Sequence, residues 1–163
     1  MISISDVLAD RFFYHMAGIV QPAGKVTSQM IWNPEDSGVN VAIRQAFVYC
    51  APYTAMNYKW RTSVYGLTTG SRNSMALKNP TSDLGQSKAI ACFDKVGNGS
   101  VQSDNNNYVL VPVDKNPAWD FAPKVPIVLG PGTGIIVYPD TSASMQWTWS
   151  CVWEEQAIEA VNL

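Results

Sequence analysis

The sequence predicts an all-β fold, a jelly-roll or related antiparallel β-sandwich of about eight strands with an N-terminal arm. Three observations carry that expectation. In Met145–Glu154 large apolar and small polar residues alternate, so Met145, Trp147, Trp149, Cys151 and Trp153 share one face and Gln146, Thr148, Ser150, Val152 and Glu154 the other. A helix would scatter the same tryptophans around its axis. Further short runs rich in β-branched and aromatic residues are broken at short intervals by Gly, Pro and Asn, as in two-sheet folds where each sheet hides one apolar face. Finally, 47% of the 163 residues are apolar and only 15% charged, against a usual charged share of about 25%, so much of the surface is neutral. Neutral surface is common on proteins covered by neighbours.

In chain order, residues 1–24 are expected as an N-terminal arm or short helix. Within them, 3–17 either opens as a helix capped by Ser3 or Ser5, with Asp6 near its start, or runs as an extended arm. Residues 25–155 form the β-sandwich, with strands at 40–50, 57–66, 87–93, 107–113, 125–129 and 134–138 before the alternating one. Turn formers precede or separate them. Asn33-Pro34-Glu35-Asp36-Ser37-Gly38 leads into 40–50, Gly97-Asn98-Gly99 suits positive φ, and Gly130-Pro131-Gly132-Thr133-Gly134 divides two apolar runs. The polar stretch 67–86 reads as a surface loop, and 156–163 as a C-terminal tail. No repeat or linker divides the chain, whose length suits one domain with a full core.

Charge and cysteine content narrow the function classes. A net charge of −2, with eleven basic residues scattered singly, gives no cationic face for nucleic acid. No apolar run reaches the about 20 residues of a membrane helix, so neither nucleic acid nor membrane is expected as a partner. The start MISISDVLADRFF lacks the pattern of a signal peptide, which places folding in a cytoplasm and makes the sequon Asn98-Gly99-Ser100 irrelevant. Cys50, Cys92 and Cys151 are an odd number at wide spacing and read as buried free thiols.

Catalytic chemistry finds little to stand on. His15, the single histidine, reads as an amphipathic residue of the arm and cannot build a multi-imidazole zinc site. No Gly-x-Ser-x-Gly elbow, paired-thiolate spacing or calcium loop is present. Gly130–Gly134 lacks the sixth-position Gly of a dinucleotide loop and the Lys of a phosphate loop, and a strand follows it, so it reads as a tight turn. Glu154, Glu155 and Glu159 read as solvated terminal charges, Glu155 and Glu159 near partner bases. The expectation is a non-enzyme with no cofactor and no metal. Trp147, Trp149 and Trp153 belong to the core, whereas Trp119, in the loop-like Asn116-Pro117-Ala118-Trp119-Asp120, suits a partner anchor.

Two stretches, Ser28–Asn40 around Trp32-Asn33-Pro34-Glu35-Asp36-Ser37-Gly38 and Val128–Pro139 around Leu129-Gly130-Pro131-Gly132-Thr133-Gly134, resemble small virion proteins of tailed bacteriophages. In that group the first turn precedes an early strand and the second a late strand leading into an alternating final one. The resemblance covers about residues 25–155 and implies a jelly-roll or related sandwich with a structural role: head decoration, head fibre or tail-associated. The function expected is a capsid decoration (cement) protein on the virion surface, assembled in the host cytoplasm, a homotrimer binding the major capsid protein. The alternative is a tail or fibre module binding a bacterial surface glycan, with Trp60, Trp119 and Tyr53 as stacking residues. Expected partner contacts are Phe12, Phe13 and Tyr14 of the arm, Arg72 of the long loop, and Trp119.

Overall fold

The computed structural model describes residues 12–52, 54–64, 67–69, 77–78, 86–97, 108–111, 118–121 and 127–158. The strands are β1 (Phe12–Gln21), β2 (Ser28–Asn33), β3 (Val39–Ala51), β4 (Met56–Arg61), β5 (Thr68–Thr69), β6 (Leu77–Lys78), β7 (Ile90–Asp94), β8 (Tyr108–Val111), β9 (Ala118–Phe121), β10 (Ile127–Leu129), β11 (Thr133–Pro139) and β12 (Met145–Ala157). No α-helix occurs among the described residues. One sheet runs β10-β3-β12-β1-β6, with β9 sharing the β10 edge of β3; the other runs β5-β7-β2-β11-β4-β8. All pairings are antiparallel.

With β9 and β10 taken as one interrupted strand, the frame is β1-β12-β3-β9/β10 facing β2-β11-β4-β8. That is the jelly-roll order, an all-β antiparallel sandwich of eight strands. The stretch between β4 and β8 adds β5 and β7 beside β2 and β6 beside β1. One insertion therefore widens both sheets along the same side.

Several boundaries differ from the sequence expectation. Residues 12–21, within the 1–24 expected as an arm or short helix, form β1, paired throughout with β12. The physical reason is that β1 hides its period: its inward residues include His15 and Gln21, while Met16 and Val20 point outward. In β2 every residue is buried, so no alternation marks it as a strand. The strand expected over 57–66 ends at Arg61, and two strands, β5 and β6, fall within the expected loop 67–86. At the C-terminus β12 extends to Ala157, two residues into the expected tail.

The main core lies between the sheets, where Trp147, Trp149 and Trp153 of β12, each 1% exposed, pack with Ile31, Ile135 and Val137 of the facing sheet. A second, smaller cluster lies on the outer side of that facing sheet: Met30, Trp32, Cys92 and Ile136, covered by residues that include Val64 and Leu67. The strands β2, β4, β7 and β11 of this sheet are thus largely buried on both sides.

A single buried amide locks each end of the sandwich. At one end Gln21 donates through Nε2 to the carbonyls of Thr141 (2.8 Å) and Ala143 (2.9 Å), and its Oε1 accepts from Thr27 N (2.9 Å) and Thr27 Oγ1 (3.0 Å). Trp147 Nε1 donates to the same Thr27 hydroxyl at 3.0 Å. At the other end Asn33 Nδ2 donates to the carbonyls of Val39 (2.8 Å) and Leu129 (2.9 Å), and its backbone carbonyl accepts from Gly132 N (2.8 Å). The corners at 34–38 and 130–132 are therefore packed on each other. Gly38 and Gly132 supply the positive φ (71° and 74°) that these sheet-crossing turns need.

Candidate protein-docking face

The two sheets differ in how their outer sides are covered. On β1, β12 and β3 the burial alternates, and the outward residues stand in four rows set by the register: Val20–Gln146–Ala51, Gly18–Thr148–Tyr49, Met16–Ser150–Phe47 and Tyr14–Val152–Gln45. None of these twelve positions is Asp, Glu, Lys or Arg. Met16 is 74% exposed, Val20 67%, Tyr49 44% and Phe47 38%. With strands about 4.8 Å apart and outward residues about 6.8 Å apart along each, the grid covers roughly 400 Å². Exposed Met16, Val20, Phe47 and Tyr49 stand among uncharged polar Gln45, Gln146, Thr148 and Ser150, and the largest apolar patch of a monomer is often functional.

A bulge bounds the face. Between Val152 and Trp153 the β12–β3 register shifts, so that Val152 opposes Gln45, Trp153 opposes Ile43, and Arg44 is the extra residue. Arg44 forms an ion pair with Glu154, whose Oε1 also accepts from Gln156 Nε2 at 2.7 Å. The first charges met along β12 thus lie just beyond the grid. On the outer edge of β3, Asp120 of β9 stands opposite Phe47 in the register.

The expected contact residues fall in different places. Phe12 and Phe13 are each 3% exposed, and Phe13 stacks on Trp153 at 6.1 Å, so both belong to the interior of the chain. Tyr14, half-buried, sits in the last row of the face. Arg72 and Tyr53 lie outside the described residues. Trp119, expected in a loop, lies in β9 opposite Val48. Trp60 is half-buried against the main core.

Other candidates for chemistry prove to be structural. His15 is buried between the sheets, not in an arm: its Nε2 meets Gln29 Oε1 at 3.2 Å, and its ring lies 5.8 Å from Phe93 and 6.0 Å from Trp149. Glu155, expected as a solvated charge, accepts from Ser87 Oγ (2.5 Å), the backbone N–H of Lys88 (2.9 Å) and Ala89 (3.1 Å), and Trp153 Nε1 (3.3 Å). Glu154 is 8% exposed and held by Arg44. Cys50, Cys92 and Cys151 are free and buried, and burial pushes the Cys92 thiol up to about 12 and that of Cys151 higher still. Gly130–Gly134 is a turn closed by Thr133 N donating to Gly130 O at 3.2 Å. Among the described residues no group of three or more His, Cys, Asp or Glu is placed to hold a metal ion.

Sequence reasoning missed Met16, Gly18, Val20, Phe47 and Tyr49. A signal was present in 46–51, where Phe47 and Tyr49 alternate with Val48 and Cys50, two apolar faces on one strand. No family model, no curated protein and no solved structure matches this chain.

Proposed function

We propose that this chain is a bacteriophage virion structural protein, a decoration (cement) protein that lays the uncharged face of β1, β12 and β3 on the major capsid protein shell and stabilises it. The observation that carries the reading is the charge-free grid of twelve outward positions on one sheet, while strands β2, β4, β7 and β11 of the other are largely buried on both sides. Exposed Met16 and Val20 lose apolar contact with water when a partner covers them, and depletion of charge is what distinguishes the centre of a protein interface. The resemblance of 28–40 and 128–139 to small phage virion proteins supplies the kind of partner. The reading moves the contact from an arm to the sheet face. Copies at a local threefold of the shell form the homotrimer.

The experiment is cosedimentation with expanded capsids assembled without this chain. Wild-type protein should pellet with them, whereas Met16→Asp and Val20→Asp, which place carboxylates at the two most exposed apolar positions of the grid, should stay in the supernatant while still unfolding cooperatively. Wild type that ignores such capsids overturns the reading. The glycan-binding alternative draws on Trp60, Trp119 and Tyr53, and half-burial of Trp60 against the core weakens it.

A further inference from the structure

The docking face has a hole in its β1 column. Gly18 lies in β1 between Met16 and Val20 and opposite Thr148, which in turn opposes Tyr49. Where a side chain would stand there is a shallow depression of about 210 Å³, lined chiefly by Gly18, Val20, Tyr49, Gln146 and Thr148. Glycine inside a strand is unfavourable by roughly 0.5–1 kcal/mol relative to alanine, and it often marks a place where another molecule approaches closely. Gly18 is not among the glycines with positive φ, so the backbone does not require it. A Cβ added there would meet Thr148 Oγ1 at 3.3 Å and Trp147 O at 3.9 Å, so a shift of the threonine by a few tenths of an ångström admits it. Folding therefore gives no reason for glycine at this position.

Resting on the reading proposed above, we infer that the depression at Gly18 is an anchor site that takes one uncharged apolar side chain from the partner protein. The surroundings select that chemistry. Val20 along β1 and Tyr49 across the sheet give it apolar walls beside the uncharged polar Gln146 and Thr148, and no charge lies within the grid to compensate a charged guest for its lost hydration. A buried apolar anchor carries a large share of the energy of an interface. The flanking Met16 and Val20 are features that a sugar ring would not need.

The test has one arm that needs no capsid. Amide spectra of the full chain are followed during titration with N-acetyl-leucinamide, methyl glucoside serving as the competing chemistry. Saturable shifts at Gly18, Val20 and Thr148 at roughly millimolar concentration are expected for the leucine compound, the range open to a ligand of about a dozen heavy atoms. Gly18→Leu should abolish them while melting at or above the wild-type temperature; Gly18→Ala, a smaller filling, should weaken them if the leucine variant fails to fold. No saturable shift, or a shift with methyl glucoside alone, overturns the inference. In the second arm Gly18→Leu should weaken binding to expanded capsids at least tenfold. Capsid binding unaffected by Gly18→Leu overturns the anchor and leaves the decoration reading standing. Wild type that binds N-acetyl-leucinamide at Gly18 but not capsids supports the anchor and removes the decoration reading. A concentration-dependent dimer that Gly18→Leu dissolves would give the depression to a second copy and also overturn the inference.

Discussion

Gln21 satisfies four hydrogen bonds through one buried amide and ties 22–27 to 140–144. Replacing it with leucine keeps the bulk but strands the Thr27 N–H, which has no water to turn to. Gln21→Leu should therefore lower stability by about 2–3 kcal/mol, read as a shift in urea midpoint. Such amides were not legible in the sequence: nothing local separates Gln21 and Gln29, which hold the fold, from Gln146, which faces solvent. The thiols were legible, because odd number and wide spacing argue against bridges without any structure. For Cys92 the pH consequence has a definite sign. The folded chain keeps the proton up to about pH 12, whereas an unfolded thiol releases it near about pH 8.5. Its contribution is thus complete below about pH 8.5 and is lost as pH rises toward about 12. Urea titrations at about pH 8 and pH 11 should show Cys92→Ala, less stable at the lower pH, losing less between them than wild type.

Among the elements, β12 was plain because its inward face is aromatic and its outward face polar. β1 and β2 were hidden for opposite reasons. β1 has polar His15 and Gln21 inside and apolar Met16 and Val20 outside, an inversion that belongs to the proposed docking face; β2 is buried on both sides and mixes polar Ser28, Gln29 and Asn33 with Met30, Ile31 and Trp32, so no alternation shows. The hidden β1 thus bears Met16 and Val20, the most exposed apolar residues of the candidate site. The segment 87–89, expected as the start of a strand, instead wraps the Glu155 carboxylate. Glu155→Ala leaves those donors to water and to each other, and should cost about 1–2 kcal/mol and speed hydrogen exchange at Lys88 and Ala89. Arg44 shows how a bulge serves an element: one extra residue returns Ile43 to the interior beyond it and sets a cation beside Glu154.

For the whole molecule, turns at short intervals and a single amphipathic strand sufficed for the all-β sandwich, since two sheets are what such strands can bury against. The two turn motifs stand about a hundred residues apart in the chain, yet Asn33 joins them as neighbouring corners. Their pairing has a physical basis that neither reveals alone. Because the face carries no formal charge, capsid association should change less than threefold between about 50 and 500 mM NaCl, whereas a basic or acidic interface would lose far more. Cosedimentation at the two salt concentrations checks this.

The pairing of β1 with β12 also fixes how the molecule responds to mechanical force. Phe12 opposes Glu154, so the chain enters and leaves the sandwich at the same end of one antiparallel pair. Tension applied between residues 12 and 157 meets the β1–β12 hydrogen bonds one after another, as in a zipper, whereas tension between residues 12 and 145, at opposite ends of the pair, shears many at once. Single-molecule pulling should find the first direction weak and the second strong. A shell swelling under internal pressure is then better resisted by a chain gripped across its sheet than by one held through its ends.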